Sequence, residues 1–249
     1  MKNFCLALNE EQCLGKETTV NMQILFQSSD VLAINKPAGL LVHSASYMKT
    51  QEPTVVAWLV ENFPHVKQVG DDPMHRPGIV HRLDKETSGV LCIALTQTYF
   101  EYLKKLFQTH AIKKTYYAIC AGTPKQKQGT IDIAIGIKSG TTKRTVFSNK
   151  MAKPAVTEYS VEKTWEKNGE VFSLVRITPH TGRTHQIRVH MNYIGCPVIG
   201  DELYGGKANA KRASRHMLHC FSMEFVHTDG KHIYIEAPLP GDFKLMVKE

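Results

Sequence analysis

No C-x-x-C pair occurs among the six cysteines, which are scattered along the 249 residues; this argues against a cysteine zinc site and against a disulfide framework. Cys92 and Cys120 lie in apolar runs, where cysteine acts as a small buried hydrophobe, so a reducing, cytoplasmic setting is expected. No apolar run approaches the ~18 residues that a membrane helix needs, and the opening MKNFCLALNEEQ turns acidic too early for a signal peptide. There is no Walker A loop, no G-x-G-x-x-G and no G-x-S-x-G elbow, so nucleotide cofactors and a serine hydrolase site have no visible cradle. Twelve histidines are present, yet H-E-x-x-H is absent. His180, His185 and His190 recur every five residues, which puts the last two on different faces of a helix. They read as polar or RNA-facing residues, and neither metal nor cofactor is expected.

Acid is also in short supply. Lys plus Arg number 31 against 23 Asp plus Glu, a formal charge of +8 that favours a polyanionic partner. Hydrophobic content of 42% suits a globular chain. Residues 31–35 read as a strand that ends at the Lys36-Pro37-Ala38-Gly39 turn. A short helix is predicted over 54–63, with Val55, Trp58, Leu59 and Phe63 inward, and residues 64–80 are expected to be loop. Residues 90–95 (VLCIAL) form a buried strand, and Thr96 caps a helix from 97 to 109 with Phe100, Leu103, Leu106 and Phe107 on one face. Further strands are predicted near 113–122, 130–136, 144–148, 155–163, 171–178, 217–227 and 231–237. A helix opens at Thr184, with Ile187, Met191 and Ile194 on one face and Gly195 at its end. Many strands without a βαβ rhythm imply an α+β fold, a mainly antiparallel mixed sheet flanked by helices.

Three dense stretches stand apart: HRLDKETSG (81–89), KTYYAICAG (114–122) and HTGRTHQIRVH (180–190). Charges are costly beside a core strand unless they are paired or functional. Singly, each stretch has a plain reading. Asp84 can order a turn, Tyr116 can be a core tyrosine, and Arg183 and Arg188 can be phosphate contacts.

Together, and followed by GCPVIGDELYG (195–205), the stretches resemble the successive motifs of the RluA-type RNA pseudouridine synthases. NKPAGLLVH (35–43) and KPAVTEY (153–159) are similar to further segments of that family. The resemblance runs from about residue 23 to the end, which implies a catalytic domain over 23–249 behind a lead-in of residues 1–22. That lead-in is too short for the small S4-type RNA-binding domain of many relatives. The resemblance implies isomerisation of uridine in RNA without cofactor or metal. Asp84 is then the catalytic aspartate, Tyr116 the active-site tyrosine and Arg188 the arginine paired with Asp84. Arg82 matches the basic residue that displaces or replaces the flipped base. His81, Arg183 and His185 are expected to contact RNA beside it, and Lys143, Arg144, Lys207, Lys211, Arg212 and Arg215 to meet phosphates from two loops.

The RPGIVHRLDKETSG run resembles the large-subunit rRNA branch, while the missing domain points to smaller members; rRNA and tRNA stem-loops both remain as substrates. A monomer is expected. An RNA-binding assembly factor with dispensable isomerase activity, and a carboxylate hydrolase using Glu86 with Asp84, are the competing readings.

Overall fold

The structure is a computed structural model that describes residues 22–44 and 52–247; the lead-in expected over residues 1–22 falls outside them apart from Met22. Its centre is β3 (Ser88–Ala94), buried at every position. The unbroken apolar run demands cover on both faces and both edges. β2 (Val31–Lys36) pairs with it antiparallel, and β10 (Leu218–Val226) pairs with it in parallel through His219↔Ser88 and Cys220↔Gly89. Gly89 makes that parallel contact possible. Its φ is 113°, and a Cβ there would stand 2.1 Å from the Cys220 carbonyl oxygen.

The nine-stranded sheet continues from β10 through β4 (Lys113–Ala121), β9 (Glu170–Pro179), β8 (Val156–Lys167) and β5 (Gln128–Asp132), all antiparallel. β1 (Gln23–Gln27) adds to β2, and β11 (His232–Glu236) folds back on β10. The α+β expectation with a mainly antiparallel mixed sheet therefore holds.

Helix α1 (Val55–Asn62) is capped by Thr54, whose side chain accepts the Ala57 N–H at 3.0 Å. Thr96 caps α2 (Gln97–Gln108) in the same way, and Tyr99, Phe100 and Leu103 of α2 are buried. Both helices pack on β1–β3 and β10 in the larger core. α3 (Gln186–Tyr193) packs Ile187, Met191 and the nearby Ile194 against β4 and β9 in a second core. Tyr116 touches both cores. Shorter helices α4 (Glu202–Ala210) and α5 (Gly241–Val247) complete the chain.

The departures from expectation are local. Residues 64–80 include a 3₁₀ turn at Pro64–Gln68. The strand expected over 130–136 ends at Asp132, and the one at 144–148 shrinks to two residues. These remnants, β6 (Gly136–Ile137) and β7 (Arg144–Thr145), form a separate small hairpin. α3 begins two residues late because His185 sits in the left-handed region at φ 58°. Cys92, Cys120, Cys196 and Cys220 are free and buried. Among the described residues no helix is long and apolar enough to cross a membrane.

Candidate active site

Asp84 sits in the turn before β3, and the carbonyls of Asp84, Lys85 and Glu86 are tied down. Thr87 N–H donates to the Asp84 carbonyl at 3.1 Å, and Gly39 N–H to that of Lys85 at 2.9 Å. Arg215 Nη1 donates to the Glu86 carbonyl at 2.9 Å. Side chains pin the same turn from β10 and the segment before it: Thr87 Oγ1 lies 2.8 Å from His216 Nε2, and Ser88 Oγ 2.9 Å from His219 Nδ1. Burial lowers both histidines to a pKa of about 4, so they serve as neutral hydrogen-bonding rings.

Lys36 is the deepest strut, with 0% of its surface exposed. Its Nζ donates to the carbonyls of Pro37 at 2.7 Å, Leu40 at 2.8 Å and Lys85 at 3.0 Å, which uses all three ammonium protons. Burial pulls its pKa down to about 7. Lys36→Met removes the donors and orphans the Pro37 and Leu40 carbonyls, while that of Lys85 keeps only the Gly39 N–H, at a cost of about 3 kcal/mol or more. The expected readout is a melting temperature lower by roughly 6–12 °C; an unchanged melting curve contradicts this role.

A cavity of about 120 Å³ opens over the turn. Asp84, Tyr116, Arg188, Arg82, Arg183 and His185 all line it, although they come from the turn, β4, α3 and the segment before α3. Asp84 is the only acid among its lining residues. Arg188, 7% exposed, holds two carboxylates at once. Its Nη1 donates to Asp84 Oδ2 at 2.9 Å, while Nε and Nη2 donate to Asp201 Oδ2 and Oδ1 at 2.7 and 2.9 Å. Burial opposes the charge on Arg188, but Asp201 and Asp84 outweigh it and raise its pKa. Burial likewise works against ionised Asp201, and the Arg188 fork reverses this and lowers the Asp201 pKa.

The second oxygen of Asp84, Oδ1, faces His185 Nε2 at 3.7 Å. His185 Nδ1 lies 2.8 Å from the Tyr204 phenol oxygen, which also accepts the Arg144 N–H at 3.2 Å. Where the phenol donates to Nδ1, the imidazole proton sits on Nε2, towards Asp84; the opposite tautomer turns a bare Nε2 to the carboxylate. Burial lowers the pKa of His185, which favours the neutral ring. The Tyr204 ring lies 5.2 Å from the Arg188 guanidinium carbon, a cation–π contact. Burial raises the Tyr116 pKa well above its usual value, so that phenol keeps its proton.

Arg82 stands exposed at the cavity mouth and makes no hydrogen bond or ion pair among the described residues. Arg183 donates from Nε to the Pro154 carbonyl at 2.9 Å. His81, in contrast, is used inside the fold. Its Nε2 accepts the Cys92 N–H at 3.0 Å, its ring stacks on Phe107, and burial lowers its pKa to about 3. It braces β3 against α2 rather than presenting a cation to RNA.

Arg215 is also interior, bound to Asp242 and the turn carbonyls, which removes it from the expected phosphate contacts. Arg212 is held by both carboxylate oxygens of Glu170, at 2.9 and 2.6 Å, and neither it nor Lys211 lines the cavity. Lys143 donates to the Leu203 carbonyl and lies over the Tyr204 ring. His190 is buried between Thr157 and the Ile133 carbonyl. Among the described residues no cluster of His, Cys, Asp or Glu is arranged to hold a metal.

Asp201, Tyr204 and Lys36 were not assigned roles from the sequence. The first two stand in GCPVIGDELYG and the third in NKPAGLLVH, so the signal was the motif itself. Lys114, buried in the cavity wall beside Tyr116, belongs with them.

Comparison with known proteins gives the family. The family model described as RNA pseudouridylate synthase matches residues 30–193. An RNA pseudouridine synthase of Aquifex aeolicus is 36% identical over 92% of this chain and 73% of its own length. The ribosomal large subunit pseudouridine synthase D of Zymomonas mobilis has the same identity and coverage. Among solved structures, human RNA pseudouridylate synthase domain containing 1 matches with a TM-score of 0.73 and 26% identity, over 94% of this chain and 96% of that one. With a motif-bearing turn, an arginine-held carboxylate and these relatives in agreement, the chain belongs to the RNA pseudouridylate synthase family and is an isomerase of the RluA type.

Proposed function

We propose that the protein converts particular uridines of large-subunit ribosomal RNA to pseudouridine, with Asp84 as the reacting carboxylate. The observation that carries this reading is the Asp84–Arg188–Asp201 arrangement: one oxygen of Asp84 is fixed by Arg188 at 2.9 Å, Arg188 is itself anchored by Asp201, and Asp84 is the one acid that lines the cavity. The reaction breaks the bond from C1′ to N1, turns the base, and forms a bond from C1′ to C5. N1 gains a proton and C5 loses one, so atoms balance with no co-reactant.

A base stacked in RNA cannot be reworked at both edges, so the target nucleotide leaves the stack at a cost of about a few kcal/mol. Arg82 fills the vacated place, because its guanidinium is free, planar and beside the cavity. Tyr116 offers a flat face and a protonated hydroxyl, which suits it to donate a hydrogen bond to uracil rather than to act as a phenolate base. Asp84 attacks carbon or steadies developing charge, and the hydrogen bond from Arg188 Nη1 keeps it oriented in either case. A hydrolase needs a second carboxylate at the cavity. Asp84 stands alone there, and the second carboxylate held by Arg188, Asp201, is saturated.

Large-subunit rRNA is placed before tRNA because the Zymomonas mobilis relative and one from Borreliella burgdorferi, 35% identical, carry that substrate in their names. The test is to incubate unmodified transcripts of large-subunit rRNA and of bulk tRNA separately with the protein and to quantify pseudouridine in the nucleoside digests. Pseudouridine in the rRNA digest is the expected result. Pseudouridine confined to tRNA contradicts the substrate class, and none in either contradicts the function.

A further inference from the structure

Beside the active site runs a second groove of about 440 Å³, formed by the β6–β7 hairpin, the outer side of α3 and Tyr204. Two aromatic rings stand open there. Phe147 is 83% exposed and Tyr193 is 45% exposed, with ring centroids 6.0 Å apart at 59°. Exposing two adjacent large rings in a folded chain calls for a partner, whereas one isolated exposed ring would not.

The surroundings indicate what that partner is. Lys138, Lys143 and Arg144 line the same groove, and no acidic residue does. The sequence makes the point more broadly: between Asp132 and Glu158 there is no Asp or Glu, while Lys138, Lys143, Arg144, Lys150 and Lys153 all fall in that interval. A protein partner would be met by mixed charge around an apolar patch. Rings set among cations alone match a chain with π-faces and a phosphate at every unit.

The groove is also continuous with the catalytic machinery. Tyr193 ends the helix that carries Arg188, and Tyr204 lines the groove while its phenol oxygen reaches His185 in the catalytic cavity. Arg144 supplies its backbone N–H to that same oxygen.

We infer that Phe147 and Tyr193 form a stacking platform for an unpaired base of the RNA substrate, a short distance along the strand from the flipped uridine, with Lys138, Lys143 and Arg144 taking the adjoining phosphates. This rests on RNA being the substrate and adds a second point of hold. Removing one nucleotide from the stack leaves its neighbours poorly stacked, and a platform for one of them stabilises the opened strand.

The test is direct binding by fluorescence anisotropy of a fluorescein-labelled oligouridylate of about 12 nucleotides, without any readout of turnover. Phe147→Ala and Tyr193→Ala each weaken binding by roughly five- to a hundredfold, the range expected for loss of one stacked base. Phe147→Leu keeps apolar bulk and loses binding equally, whereas Phe147→Trp retains it, and the emission of the introduced indole is quenched when RNA is added. Lys143→Ala lowers the slope of log affinity against log salt by about 1. Both rings are exposed, and matching melting curves confirm that the variants fold. Unchanged affinity in the Ala and Leu variants overturns the platform, as does an indole at position 147 that RNA does not quench. Failure of the isomerase reading shows itself separately, as a wild-type protein that binds this probe but makes no pseudouridine in the transcripts.

Discussion

Asp84→Asn is expected to lower turnover by a factor on the order of 10⁴ or more while the protein stays folded and still binds RNA. Asparagine keeps the shape of aspartate, and its carbonyl oxygen can still accept from Arg188 Nη1, so the turn is not disturbed. The hydrogen bonds that Thr87, Gly39 and Arg215 donate to the turn carbonyls do not involve the Asp84 carboxylate at all. What disappears is the negative charge of the one acid that lines the cavity. Without it, neither attack on carbon nor support of positive charge at C1′ is available. Affinity for RNA should be equal or somewhat tighter, since one negative charge has left a surface that meets phosphates. Anisotropy with labelled RNA and a thermal melt, run beside the activity assay, separate this outcome from misfolding.

Arg188→Lys is expected to be the next most damaging change. The guanidinium spans two carboxylates with three donors in one plane: Nε and Nη2 on Asp201, Nη1 on Asp84. A lysine ammonium is a single point and cannot hold both in that geometry. Asp201, 2% exposed, would then be left with a poorly paired buried charge. The expected loss is roughly 10²–10³ in kcat, with a stability cost of about 3 kcal/mol seen as a lower melting temperature. Asp201→Asn should resemble it, because the arginine loses the anchor that aims Nη1. Combined with Arg188→Lys, it should add little further loss, since both changes disable one unit. Wild-type kcat in Arg188→Lys contradicts the bridging role.

Much of this fold is legible where the chain is apolar and regular. The run before Leu95 makes a central strand, and threonines at 54 and 96 mark the helix starts. Other elements have no such signal. α4 contains Gly205 and Gly206, which argue against a helix, and Gly206 does leave helical geometry at φ 79°. It forms because Asp201 caps it through the Tyr204 N–H, and that depends on where Arg188 holds Asp201. The hairpin at 136–145 is two residues deep, too short for alternation to reveal.

The site shows the same division. Asp84, Tyr116 and Arg188 stand out because their motifs are dense in chemistry, and the structure brings all three to one cavity. Charge alone misleads about burial. Arg215 reads as a surface cation and is a strut, and His81 reads as a contact and is a packing ring. Asp201 and Tyr204 gain their place only through long-range pairing with residues 13 and 19 positions earlier.

The most direct test of the catalytic assignment is tritium release from RNA labelled at uridine C5, measured under single-turnover conditions for the wild type and Asp84→Asn. C5 must surrender its hydrogen when it becomes the glycosidic carbon, so release reports the isomerisation itself. The predicted result is one tritium released per uridine modified by the wild type, with Asp84→Asn bound to the same RNA and releasing none above background. Release by Asp84→Asn at a rate near that of the wild type would contradict the assignment of Asp84 as the reacting carboxylate.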